Sequence, residues 1–356
     1  MTHPTAFRSP SRPAAVRYLA LTQVADPPAD ALAQAVTAGT CSHEEAMKAL
    51  RALTETPLWV DTDRQRVACE AFQRTGILSG IVLAMYSLPL AYLSPAGVKP
   101  LTLSGRLVEK APRRLAETLR FILEVTRPGG MLPGAAGHEI TLRVRLMHAI
   151  ARIHTKRHWD AEAWGEPISQ AHLASTNLLF SLHCVDGLRK LGIRWSQEEV
   201  EGFLHLWRHI GWTLGIQEAL LCSTEAEARH LWALVRDSEG QPDEDGRALT
   251  QALLTKAVPT ILASILPVEP SDPRFIKLIQ RLSTALLGRD TARMLGVPEQ
   301  SGPLLITPML RLLVGGVESV RHAAPGGDTL MRHLGASLND WLVTASLDGK
   351  PAQFVA

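Results

Sequence analysis

The sequence has little of what marks several protein classes. It holds four cysteines in 356 residues (Cys41, Cys69, Cys184 and Cys222), far apart and with no Cys-x-x-Cys pair. A zinc knuckle or a thioredoxin-type motif is therefore not available, and the four read as buried thiols in a reducing compartment. Net charge is nearly absent: 37 Lys and Arg against 35 Asp and Glu leave +2, too balanced for a field that would attract a nucleic-acid backbone or an anionic membrane. Nucleic acid is thus not an expected partner. There is no Gly-x-Ser-x-Gly, no Walker loop and no Gly-x-Gly-x-x-Gly after a strand, and the glycine-rich 128–134 segment, PGGMLPG, reads as a turn between helices. Alternating strands and fixed-period repeats are missing as well. The first thirty residues, interrupted by Pro4, Pro10, Pro13, Pro27 and Pro28, lack the long apolar core of a secretory signal, so a cytoplasmic address is expected.

What is present is helical periodicity. At 46% apolar and 20% charged residues the chain can bury a large core, and the class is all-α, a single large helical domain. The spacing predicts helices over 42–53, 62–86, 113–126, 138–155, 170–191, 197–216, 224–237, 245–258, 273–287 and 328–345. Ser196 followed by Glu199 is a capping box that fixes the start of the sixth. Gly76 to Val98 carries no charge over twenty-three residues, enough in principle to cross a bilayer. Pro89, Pro95 and the serines favour a helix buried inside the protein, with membrane contact the alternative.

Thirteen histidines provide the candidate chemistry. In the 170–191 helix His172, Thr176, Leu179 and His183 share a stripe, and Asp186 is placed to approach the His183 ring. A carboxylate-oriented imidazole is how proteins prepare a ligand for iron; a half-buried histidine with a local hydrogen bond has the same pattern. In the 138–155 helix Arg145, His148 and Arg152 face one way and Arg143 nearly the opposite way. Arginines flanking Ile140, Val144 and Met147 suit the carboxylates of a bound cofactor, or form a solvated basic face. In the 197–216 helix Glu201, His205 and His209 stand four apart and could converge on one ion, although 206–208 read Leu-Trp-Arg, without the acid of a metalloprotease. Glu227 to His230 is the one Glu-x-x-His with no credible second for a di-iron bundle.

Several blocks together carry a resemblance: Arg143-Val-Arg-Leu-Met-His-Ala149, Trp159-Asp160, Pro167-Ile-Ser-Gln170, Phe180-Ser181 with Asp186-Gly-Leu-Arg-Lys-Leu-Gly192, and His205-Leu-Trp-Arg-His-Ile-Gly211. In this order they resemble the family of latex clearing proteins and MpaB-type oxygenases, most clearly over residues 72–221. The resemblance implies an all-helical fold with a globin-like core (71–260) between an N-terminal helical extension (1–70) and a C-terminal helical region (261–356). It also implies haem b held by one histidine, and dioxygen chemistry on a hydrophobic, unsaturated small-molecule or polymeric substrate.

Position by position, the resemblance puts the distal basic residue at Arg143 and a base at Glu124, with Ile140 and Val144 departing from the rubber-degrading pattern. The helix 113–126 equally allows Glu117, Arg120 and Glu124 to form an ion-pair ladder. Leu178 falls at the expected ligand position, so His183 is the first choice for the iron, followed by His148 and His205, with Arg145 and Arg208 as further cofactor contacts. Two other functions fit the same letters: a haem-binding or helical interaction protein without turnover, and a non-haem metalloenzyme using Glu201, His205 and His209.

Overall fold

Helix is the only regular structure in the residues described by the computed structural model, 11–103, 107–299 and 306–347. Local chemistry sets many of the helix starts. Capping boxes open His43–Leu53 (Ser42 with Glu45), Gln197–Thr213 (Ser196 with Glu199, as expected) and Glu225–Ser238 (Thr224 with Glu227). Prolines, whose missing N–H costs nothing in a first turn, begin Pro27–Thr37, Pro95–Thr102 and Pro273–Leu287. Pro4 and Pro10 lie outside the described residues. Pro13, Pro27 and Pro28 stand in the first turns of Arg12–Ala20 and Pro27–Thr37.

Two helices expected to be continuous are broken. Thr62–Arg74 is followed by Ile77–Val82, and the chain turns by 86° between them. Gly76 supplies the turn with φ +52°, and Gly335 passes so close that a Cβ there would lie 2.0 Å from the Gln73 carbonyl oxygen. The uncharged stretch then continues as Ile77–Val82, a π-helical turn at Leu83–Ser87, Leu88–Ala91 and Pro95–Thr102. Leu83, Met85 and Tyr86 are buried, and no single helix of the described residues is long and apolar enough to cross a membrane. The second break separates Gln170–Phe180 from Leu182–Leu191 at Ser181, whose ψ of −83° departs from helix. His172 and His183 therefore do not share a stripe.

One core runs from Tyr18 to Val343 and makes the chain a single large helical domain. A satellite core forms where Pro27–Thr37 and His43–Leu53 pack on Ala136–Thr155 through Ala29, Ala33, Leu50, Leu142 and Leu146. Buried arginines fasten it. Arg145 donates to both Asp26 carboxylate oxygens at 2.7 and 2.9 Å and to the Thr54 hydroxyl at 3.1 Å, while Arg152 donates to Asp30 at 2.7 Å. The last two described helices, Ile306–Ala323 and Gly327–Ser346, form a hairpin; the first packs on Leu182–Leu191 and Pro273–Leu287, the second on Thr62–Arg74 and Leu107–Val125.

Candidate functional site

The helices enclose a cavity of about 980 Å³, at the upper end of small-molecule sites. Its walls come from Leu88–Ala91, Pro95–Thr102, Leu107–Val125, Ala136–Thr155, Gln170–Phe180 and Glu225–Ser238, and are mainly apolar. On Ala136–Thr155 the cavity face is Met147, Ala151 and His154 with His148 and Thr155, continued by His158 beyond the helix end. On Gln170–Phe180 it is His172, Leu173, Ser175, Thr176 and Leu179.

Two imidazoles on this wall are set up as neutral donors. Ser169 caps Gln170–Phe180: its hydroxyl oxygen accepts the His172 backbone N–H and also lies 3.1 Å from His172 Nδ1. That bond occupies Nδ1 and leaves Nε2 with no hydrogen bond among the described residues. His148 keeps a buried Nδ1 with no partner. Burial depresses both groups to about 4, helped at His148 by nearby Arg152 and Arg114. Both are uncharged at pH 7, the form that ligates a metal.

The cavity holds one acidic group of note. Glu239, just past Glu225–Ser238, lines the wall, and burial pushes its carboxyl up to about 7 against the opposing pull of a hydrogen bond with Ser94. At the rim Arg114, His154 and His158 are exposed and have no ion pair among the described residues. The arrangement is an apolar chamber with two imidazole donors, one titratable carboxyl and a mouth carrying Arg114 and two exposed histidines.

The other residues singled out in the sequence lie elsewhere. His183 is buried off the cavity, its ring 4.2 Å from that of Trp232 and 5.8 Å from that of Tyr86, and neither ring nitrogen has a partner. Asp186 does not orient it, because Arg229 binds both oxygens of that carboxylate at 2.7 and 3.2 Å. Arg143 is exposed and Arg145 is held by Asp26 and Thr54, so neither lines the chamber. Glu124 is also off it, buried and paired with Arg120 at 2.6 Å and Arg127 at 3.4 Å; this keeps one step of the ladder reading, while Glu117 pairs with Arg113.

Glu201, His205 and His209 do not converge on a point. Glu201 binds Arg64 and Gln197, His205 Nε2 accepts the Asp61 N–H at 2.9 Å, and His209 Nδ1 meets the Gln65 amide at 3.1 Å. Arg208 stacks on Trp59 and pairs with Glu218. Of the cofactor candidates from the sequence, His148 alone reaches the wall.

Sequence reading passed over His172 as a donor, and Arg114, His154, His158 and Glu239 altogether. The helical steps from Met147 to Ala151, His154 and His158 were legible, as was the Ser-x-x-His cap. Glu239 gave no signal, since it stands in an acid-rich loop.

An all-helical fold around an apolar, histidine-walled chamber defines the class, and comparison with known proteins identifies the family. Residues 71–318 match the catalytic domain described as ER-bound oxygenase mpaB/B'/Rubber oxygenase, and the chain belongs to that family. It is similar to the rubber oxygenase of Streptomyces sp. (strain K30), with 25% identity over 145 residues that span 40% of this chain and 36% of that protein. The structure of latex clearing protein LCP in the closed state superposes with a TM-score of 0.70 over 90% of each chain at 20% identity, so the fold is shared.

Proposed function

We propose that the chain is a haem b-dependent oxygenase that uses dioxygen to cleave or oxygenate a hydrophobic, unsaturated substrate inside the chamber. The observation that carries this reading is the joining, in one apolar cavity, of the neutral donor His172, braced by Ser169, with a second neutral imidazole, His148. These residues fit a porphyrin: the chamber is large and greasy, and an unpartnered His148 nitrogen faces burial without a hydrogen bond. His172 would hold the iron through Nε2, and Arg114 at the rim would neutralise a propionate, with His154 and His158 beside it as hydrogen-bonding groups.

When bound, haem supplies the oxygen chemistry. The protein's own part is to exclude water with the apolar walls, to lay the substrate chain along Leu173 and Leu179, and to exchange a proton at the Glu239 carboxyl. Near neutrality Glu239 divides between acid and carboxylate, which suits a group that takes up a proton beside a double bond and gives it back. Glu124, clamped by two arginines away from the chamber, is less suited to that role.

An absorption spectrum tests the reading. Protein reconstituted with haemin should show a Soret band that shifts on reduction and carbon monoxide addition. His172→Ala should lose most of it, and His183→Ala should keep it. A wild-type protein that takes up no haemin overturns the proposal, and full retention by His172→Ala moves the ligand to His148. Product analysis after incubation with unsaturated isoprenoids under oxygen then separates an oxygenase from a haem protein without turnover.

A further inference from the structure

Half of the exposed large apolar side chains of the described residues fall on the last two helices. On Ile306–Ala323 they are Met309, Leu312, Leu313, Val317 and Val320, at steps of three and four, with Leu312 78% exposed. On Gly327–Ser346 they are Leu330, Leu334, Leu338 and Trp341, again a single stripe. Both helices already have an inner face: Leu310 and Val314 pack on the core, and Leu342 and Val343 are buried. The hairpin therefore carries, besides its inner face, a row of outward apolar side chains on each helix, a pattern that calls for a covering partner.

The charges around this surface decide what covers it. The acid on Ile306–Ala323, Glu318, is buried and bound by Arg321. Asp328 is held by Arg321, and Asp340 by Arg127. Arg194 and Arg311 line a groove beside Leu312, Gly315 and Gly316, are exposed, and have no ion pair among the described residues. A second copy docked on this patch would offer those arginines no free carboxylate. An anionic lipid leaflet offers phosphates to the arginines and acyl chains to the stripe, and the Trp341 indole suits the level between them.

We propose that the Ile306–Ser346 hairpin docks the protein on an anionic membrane surface, with Arg194 and Arg311 on the lipid phosphates and the leucine and valine stripe in the outer acyl region. The contact lies flat on the leaflet, and the near-neutral net charge does not oppose it, because the attraction is local to a Debye length.

The test is co-sedimentation of the full chain with vesicles of phosphatidylcholine, with and without phosphatidylserine. Binding should require phosphatidylserine and weaken with salt. Leu312→Glu combined with Val320→Glu should abolish it, and Arg194→Ala and Arg311→Ala should each weaken it about fivefold. All four side chains are exposed, so the thermal melts of these variants should match wild type. As a second readout, vesicles should shift the tryptophan emission of wild type to the blue and leave that of Trp341→Phe less changed. Failure to sediment with either vesicle, or equal binding to both, overturns the proposal. So does a dimer in sedimentation equilibrium that Leu312→Glu dissociates, which would make a second copy the occupant.

Discussion

At the scale of single residues, polar groups of similar appearance in the sequence have separated into two kinds. Arg145 looks like a cofactor contact by its phase, yet its guanidinium is satisfied by Asp26 and Thr54 and closes the satellite core. Arg145→Ala should therefore act on stability, leaving the buried Asp26 carboxylate uncompensated at a cost of about 3–5 kcal/mol. Denaturant titration checks this, and the double variant Arg145→Met with Asp26→Leu should recover much of the loss. A variant of normal stability that loses haemin alone would return Arg145 to the site. Ser169 belongs to the other kind. Ser169→Ala removes both a helix cap, worth about 1 kcal/mol, and the partner of His172 Nδ1. It should lower haemin affinity tenfold or more, by the usual weight of such a supporting bond, while Ser42→Ala, a cap far from the chamber, leaves affinity unchanged.

At the scale of elements, the sequence pattern specifies which segments are helical better than where they bend. Ser196 and Glu199 open a helix because the capping box is local chemistry, readable from four letters. The turn at Gly76 depends on Gly335, more than two hundred and fifty residues away, and no local pattern contains that meeting. The break at Ser181 is of the same kind: a continuous 170–191 helix puts His172 and His183 in phase, and the break undoes that, leaving His172 on the chamber wall and His183 off it. His148, whose helix is unbroken, lies on the chamber wall, whereas Arg145 and Arg152, read on the same face, turn to Asp26 and Asp30. The Gly76–Gly335 contact makes a sharp prediction. Gly335→Ala would gain helix propensity of about 1 kcal/mol but drive a methyl into the Gln73 backbone oxygen, which cannot rotate away. The net effect should be a destabilisation of about 1–3 kcal/mol seen as a lower melting temperature, whereas Gly316→Ala, which meets nothing within 4 Å, should be neutral or stabilising.

At the scale of the whole molecule, burial of histidine couples folding to pH. His148, His172, His183, His205 and His209 are all depressed to about 4, chiefly by loss of water, from an ordinary value of 6.5. Each binds a proton more readily when unfolded, so the stability it contributes is present above 6.5 and is lost as pH falls toward 4. Glu239 works in the opposite sense. Raised from 4.5 to about 7, it contributes fully below 4.5 and loses its contribution as pH rises through 7. These five histidines, joined by His138, which burial also lowers, outweigh Glu239 between pH 6.5 and 4.5, so stability should fall on acidification; among these groups Glu239 acts alone only above 6.5. The melting temperature should therefore peak near neutrality and drop steeply toward pH 4. Calorimetry across this range checks the profile. Glu239→Gln should lift the alkaline side by removing the buried charge, and His209→Gln should flatten the acid side. A melting temperature that stays level from pH 7 to 5 would mean that these imidazoles are not held away from water, and with them the chamber would lose the neutral donors on which its proposed chemistry depends.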